Sequence, residues 1–264
     1  MKGFFFLLCV ASLAIALPAT DDVSITVVGS FSSVTETLGL DISESASSTF
    51  LLAINDRDDL VQVYDPETGS TLNTIQLDSE NTKGFGVAVN DATDTGLCTD
   101  DYEKNLLFCT DNGGTTWTTY TGPVGIYGRG MDYDGTNYWI TNNNNGVCYF
   151  QPGGASVMLA TPEVSKRLTG LTTFPYNGNT GIAVTTYVSH NIWFYSWDGT
   201  DLEFLGSAPC PVTPHRSYGL AYSENRDSFF WAYRTSNYEY EIVEFTINLS
   251  SLARDSWAGI KTSF

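Results

Sequence analysis

Apolar and polar residues alternate in short runs along most of this chain, and no long stretch shows the 3.6-residue period of an amphipathic helix. Phe50 to Ile54, Tyr138 to Thr141, Ile182 to Thr186 and Phe229 to Tyr233 read as strands. So do Leu60 to Tyr64, Leu106 to Thr110 and Ile192 to Trp197, and, after a turn, Leu72 to Leu77, Thr115 to Tyr120 and Val157 to Thr161. The turns carry Asp-Pro-Glu-Thr-Gly at 65–69, Asp-Asn-Gly-Gly at 111–114, Pro-Gly-Gly at 152–154 and Asp-Gly at 198–199. Such steps between alternating runs are hairpin chemistry, because tight hairpin turns need positive φ.

The strands recur in register with a Gly-apolar step, at Gly39-Leu40, Gly86-Val87, Gly130-Met131, Gly170-Leu171 and Gly219-Leu220. The spacings are 47, 44, 40 and 49 residues. Four strands in about 45 residues is the period of a propeller blade. The expected fold is therefore all-β, a five-bladed β-propeller of four-stranded antiparallel blades. A stacked sandwich or a β-solenoid is the competing architecture, but neither explains two landmarks repeating together. Ser24 to Val28 stands before Gly39 at the distance where outer strands precede the later glycines, so it is expected to close the last blade; Leu252 to Phe264 competes for that place.

The N-terminus has its own pattern. Lys2, the apolar run Phe4 to Leu13 and the small residues and proline at 14–19 form a secretory leader, cleaved after Ala16 or Ala19. That run is shorter than the roughly twenty residues a membrane span needs. Residues 1–19 are thus expected to be a signal peptide, residues 20–264 one propeller domain, and the product secreted, extracellular or periplasmic. The net charge of −18 repels nucleic acid and anionic lipid, so neither is an expected partner. Cys98 and Cys109 flank a hairpin-like segment and form a candidate disulfide in an oxidising compartment.

Cys109-Thr110-Asp111-Asn112-Gly113-Gly114-Thr115-Thr116-Trp117 resembles the Asp-box hairpin of secreted, sialidase-like propellers, with Cys109 in place of the family's Ser or Thr and one extra glycine. Val63 to Gly69 is similar to a turn of bacterial surface propellers. The resemblance implies propeller architecture over the mature chain. Asp-boxes are structural and occur in binding proteins and enzymes alike, so no catalytic residue follows from it.

Propeller ligands meet the channel mouth where loops enter the innermost strands. Three residues ahead of each repeat glycine stand Glu36, Lys83, Tyr127, Arg167 and Arg216, with Lys166, Arg129 and His215 close by. Of the 12 basic residues, five fall at these entries, with Lys104 on a neighbouring loop. The candidate site is a cationic patch made by Lys83, Arg129, Arg167 and Arg216, rimmed by Tyr127, Tyr218 and Trp139, for an anionic or polar ligand. The competing reading ties these cations to acids such as Glu36 and Asp132. An enzyme of the sialidase or glycosidase type would need facing carboxylates, for which Glu36, Asp41 and Asp132 are candidates. No cofactor is expected, although Asp132 to Asn137 and Asn55 to Asp59 are oxygen-rich enough for calcium. The expected function is a non-catalytic binding module for an acidic or polar glycan or a protein partner.

Overall fold

The computed structural model describes residues 23–249 apart from 34, 91–94, 126, 144–145 and 165–166. The leader, Lys166 and the C-terminal segment from 250 lie outside the described residues. Five four-stranded antiparallel sheets form a five-bladed propeller. Blade 1 holds β2 (Leu40–Ser45), β3 (Ser48–Asn55), β4 (Leu60–Tyr64) and β5 (Thr71–Gln76). Blade 2 holds β6 (Gly84–Asn90), β7 (Gly96–Asp101), β8 (Leu106–Thr110) and β9 (Thr118–Thr121). Blade 3 holds β10 (Met131–Tyr133), β11 (Tyr138–Asn142), β12 (Gly146–Phe150) and β13 (Ser156–Ala160). Blade 4 holds β14 (Leu168–Tyr176), β15 (Asn179–Thr186), β16 (Asn191–Trp197) and β17 (Leu202–Pro209).

The last blade draws on both ends of the described chain. Its strands β18 (Arg216–Ser223), β19 (Ser228–Arg234) and β20 (Tyr240–Asn248) are completed by β1 (Ser24–Ser32), which pairs antiparallel with β20 from Ser24 opposite Asn248 to Ser32 opposite Glu241. The N-terminal strand thus closes the ring. Strand β9 starts three residues later than its alternation predicts, because Asn112 holds the turn: its side chain accepts from the Thr116 amide at 2.9 Å and donates to the Thr116 hydroxyl at 2.8 Å. Cys98 and Cys109 face each other across β7 and β8 and are bonded.

Burial falls from the axis outward. Strands β6 and β7 are almost wholly buried, whereas β5 and β13 are exposed along most of their length. The core divides into clusters lying between neighbouring blades, such as Ala88, Cys98, Met131, Ile140 and Cys148 between blades 2 and 3.

The five repeat glycines meet around the axis. A methyl group at Gly39, Gly86, Gly130, Gly170 or Gly219 would come within 3.0 Å of the main chain of the next blade, closer than real Cβ atoms approach anything. Main-chain hydrogen bonds join this ring: the Gly130 amide donates to Thr169 at 2.7 Å and the Gly219 amide to Leu38 at 2.6 Å. Farther along the inner strands, buried carboxylates bind one blade to the next. Asp41 accepts from the Val89 amide at 2.5 Å, and Asp132 accepts from the amide and hydroxyl of Thr173 and from the Thr172 hydroxyl.

A side chain in the glycine ring has nowhere to go but into backbone. Gly86→Ala is expected to destabilise the fold by about 3 kcal/mol, read as a fall of roughly 6–12 °C in Tm. Gly29, with nothing within 4 Å of a built Cβ, is the control: Gly29→Ala should stay within about 0.5 kcal/mol. Equal effects of the two substitutions in thermal and urea unfolding would show that the ring tolerates separation.

Candidate functional site

The residue directly before each ring glycine is trapped above it. These are Leu38, Phe85, Arg129, Thr169 and Tyr218, all buried, and together they floor the mouth at the entry end of the inner strands. Arg129 is the charged member and is only 9% exposed. Its guanidinium carbon lies 5.1 Å from the ring centre of Phe85, 5.8 Å from Tyr102 and 5.6 Å from Tyr187. Among the described residues neither its Nε nor its Nη1 has a hydrogen-bond partner. Burial first, then the charge of Arg167, pushes the Arg129 pKa down, against the pull of Tyr102, Tyr187 and Asp100.

The neighbouring walls continue the same chemistry. Arg216 sits 4.9 Å over Tyr187 and donates to the His215 carbonyl at 2.8 Å. Arg234, at the end of β19, lies 4.9 Å over Tyr238. The Nε atoms of both are buried without a partner. Tyr218 contacts Phe85 and Tyr187 and stacks on Tyr240 with 5.8 Å between centroids. Two exposed tyrosines at this mouth, Tyr127 (39% exposed, φ 71°) and Tyr238 (68% exposed, φ 67°), have left-handed backbones. Bulky residues in that region are strained, and such strain gathers at functional sites.

Blade 1 supplies the opposite charge. Asp56, just past β3, lies close to Glu36 and 3.6 Å from Lys83. Glu36 also accepts from the Tyr240 hydroxyl at 2.6 Å. Burial, followed by the hydrogen bond and charge of Glu36, raises the Asp56 pKa to about 6, while Lys83 pulls it back. A cleft of about 460 Å³ opens beside this pair, lined by Glu36, Arg57, Tyr238 and Tyr240 among others.

The mouth therefore brings together Lys83, Tyr127, Arg129, Arg167, Arg216 and Tyr218, with four adjustments. Tyr218 is a wall of the site and not an exposed rim, at 3% exposure. Trp139 is not at the mouth: it is 1% exposed, packs on Tyr149 and donates its indole N–H to Asp134 at 2.6 Å. Asp41 and Asp132 belong to the far end of the inner strands, where they join blades, so neither pairs with the mouth cations. Lys104 reaches Asp101 at 3.3 Å, together with Glu80 and Thr82, away from the ring floor.

Asp56, Tyr102, Tyr187 and Arg234 are site residues that the glycine spacing did not pick out. They follow or end the second strand of their blades, and folding alone sets them beside the entry loops. The signal was present two positions nearer the repeat glycine than the alignment weighed, where Phe85, Arg129 and Tyr218 stand.

The far mouth differs in sign. A cavity of about 520 Å³ there is lined by Asp41, Glu44, Asp132, Asp134 and Glu224 with polar neighbours. The oxygen-rich turns are already occupied by backbone: Asp134 accepts from the Thr136 and Asn137 amides, and Asn55 from those of Arg57 and Asp58. Among the described residues no group of three or more His, Cys, Asp or Glu side chains is arranged to hold a metal ion. Among the described residues no helix is long and apolar enough to cross a membrane.

No protein-family model matches the chain, and no curated protein matches it by sequence. Solved structures do resemble it. The glutaminyl cyclase of Myxococcus xanthus superposes with a TM-score of 0.64 at 14% identity, covering 85% of this chain and 96% of that one. A chain of a nidogen/laminin complex gives 0.53 at 12% identity, covering 75% and 72%. A Bacteroides thetaiotaomicron protein of unknown function gives 0.53 at 13%, covering 80% and 60%. At these identities the likeness is one of fold: the chain is a β-propeller.

Arg226 shows what a structural arginine looks like in this molecule, with Nε and Nη2 on Glu244 at 2.7 and 2.9 Å. Arg129 has no such partner, and a buried unpaired charge costs stability. Arg129→Met keeps the packing against the rings and removes that cost. Its Tm is expected to equal or exceed the wild-type value by a few degrees. A clear fall in Tm would mean that Arg129 holds the fold together.

Proposed function

We propose that the protein is an exported, non-catalytic binding module whose cationic and aromatic mouth receives an acidic carbohydrate. The observation that carries this is Arg129, buried, boxed by three rings and left with unpartnered nitrogens. Guanidinium groups recognise carboxylates through directed, charge-assisted hydrogen bonds. Tyr102, Tyr127 and Tyr187 offer flat faces for the C–H surface of a sugar ring, with polar groups set around an apolar centre as in small-molecule sites generally. The leader at residues 1–19 fits export, and the Asp-box-like hairpin at 109–117 fits a secreted propeller of the sialidase-like kind. A protein presenting an acidic side chain would use the same contacts.

The Glu36–Asp56 pair is the feature that favours a second reading, a polysaccharide-active enzyme. Glycosidase carboxyls flank the scissile bond at separations of about 5 Å or more. Glu36 and Asp56 instead stand side by side on one blade and do not face each other across the channel. Binding is accordingly the reading we adopt.

A thermal-melt screen tests it. A galacturonate oligomer at about a hundred times its Kd should add about 2.7 kcal/mol, a rise of several degrees. The rise should vanish in the double variant Arg129→Met/Arg216→Gln, and a neutral glucan of the same length should give none. If no acidic sugar shifts the wild type, the acidic-carbohydrate reading is lost.

A further inference from the structure

We propose that the mouth is a two-anion clasp: Arg129 takes one carboxylate of the ligand, and the cross-strand pair Arg216 and Arg234 takes a second on the neighbouring sugar. The ligand class is then an oligouronide with free acids on adjacent residues. The inference rests on the reading of the mouth as an acidic-carbohydrate site and specifies how many charges that site reads.

The first observation is a pair of like charges. Arg216 and Arg234 stand directly opposite each other where β18 pairs with β19. Residues paired in this way across an antiparallel ladder have Cβ atoms about 5 Å apart on one face of the sheet, and like charges there repel. The His215 amide donates to the Arg234 carbonyl at 2.8 Å, which holds the two arginines in step. No carboxylate offsets the repulsion. Among the described residues neither arginine is in an ion pair, whereas Arg226, on the turn between the same two strands, is clamped by Glu244. Each of the pair also keeps a buried Nε without a partner among the described residues.

The second observation is a shared ring. Arg129 enters blade 3 and Arg216 opens blade 5, yet their guanidinium carbons lie 5.6 and 4.9 Å from the centre of the same Tyr187, which follows the second strand of blade 4. The two cations therefore stand no more than about 10.5 Å apart, and Tyr187 is the spacer between them. Arg129 lies deep in the floor, while Arg234 leans on the exposed Tyr238. The cations thus run from the floor of the mouth to its rim.

A single carboxylate cannot answer this arrangement, because at Arg129 it leaves the like-charged pair uncompensated. Carboxylates on adjacent residues of an acidic sugar chain lie within the span that Tyr187 sets, so one ligand reaches both. Once the first is bound, the second contact is intramolecular and adds to affinity without a second loss of translational freedom. A charge-assisted hydrogen bond of this kind is worth about tenfold or more.

Calorimetric titrations at pH 7.5, where uronates are ionised, test the clasp with three ligands. These are digalacturonate, galacturonate, and digalacturonate carrying one methyl ester, which keeps both rings and removes one charge. The diacid should bind about ten- to hundredfold more tightly than either of the others. Arg234→Gln should cost the diacid about tenfold more affinity than it costs the monoester, because the substitution and the ester remove the same contact. Equal affinity of the wild type for the diacid and its monoester overturns the clasp and leaves a single-carboxylate site standing. Equal losses of the two ligands in Arg234→Gln overturn the role of the cross-strand pair. The ester comparison uses the wild type alone, so it decides the matter even where Arg234→Gln folds poorly. Binding of no uronate at all overturns both the clasp and the acidic-carbohydrate reading.

Discussion

Everything in this molecule is organised around the contact of five glycines. Where the inner strands converge, main chain meets main chain with no space for a Cβ, and amides such as those of Gly130 and Gly219 are satisfied by the neighbouring blade. That contact narrows the axis and sets the angle between blades. It also fixes what lies above it. A side chain one residue ahead of a ring glycine cannot swing outward, because its own strand has already turned into the axis. Leu38, Phe85, Arg129, Thr169 and Tyr218 therefore form a floor whatever their chemistry. A charge among them is a charge placed deliberately deep, held by the backbone geometry rather than by a counter-ion.

The energetic consequence is a division of labour between blades and mouth. Stability comes from the apolar clusters between sheets, from the closing pair β1–β20 and from buried carboxylates, Asp41 and Asp132, whose oxygens are filled by amides and hydroxyls of the next blade. Buried polar groups of that kind are tolerated because they are satisfied. At the mouth the rule is broken several times: among the described residues Arg129, Arg216 and Arg234 keep unpartnered nitrogens, and Tyr127 and Tyr238 hold left-handed backbones. Fully buried Asp100 lies near Arg129, and burial holds its carboxyl well above the usual range despite the amides of Gly86 and Phe85. Proteins depart from local consistency mainly where function asks for it.

The sequence disclosed the repeat because two local signals, period-two alternation and glycine-bearing turns, recur in register. The closing strand was legible for the same reason, since Ser24 to Val28 stands at a fixed distance before Gly39. The site was legible only in outline. Counting back from each glycine located the entry loops and most of their cations, but the second-strand ends that complete the walls, Asp56, Tyr102, Tyr187 and Arg234, stand 15 to 17 residues after the glycines, where no common residue type marks the position. Trp139 misled because an aromatic near a repeat glycine looks the same in sequence whether it points to the axis or between blades. Asp41 and Asp132 misled in the same way: a carboxylate that joins two backbones and one that faces a ligand differ only in what the next blade presents to it.

The charge of the whole chain gives the mouth its meaning. With a net charge of −18, the molecule repels anions over most of its surface, and the far mouth, lined by Asp41, Glu44, Asp132, Asp134 and Glu224, adds to that field. The group of arginines at the entry mouth stands against that field, and the water-excluding aromatic walls lower the local dielectric around them. In such a setting a single acid at the rim has leverage out of proportion to its charge, because it subtracts from the one region that attracts. Glu36 and Asp56 occupy that position. Placed on the outer strands, the same two carboxyls would be lost among 28 others; as it is, they stand beside Lys83 and Tyr240 at the entry mouth.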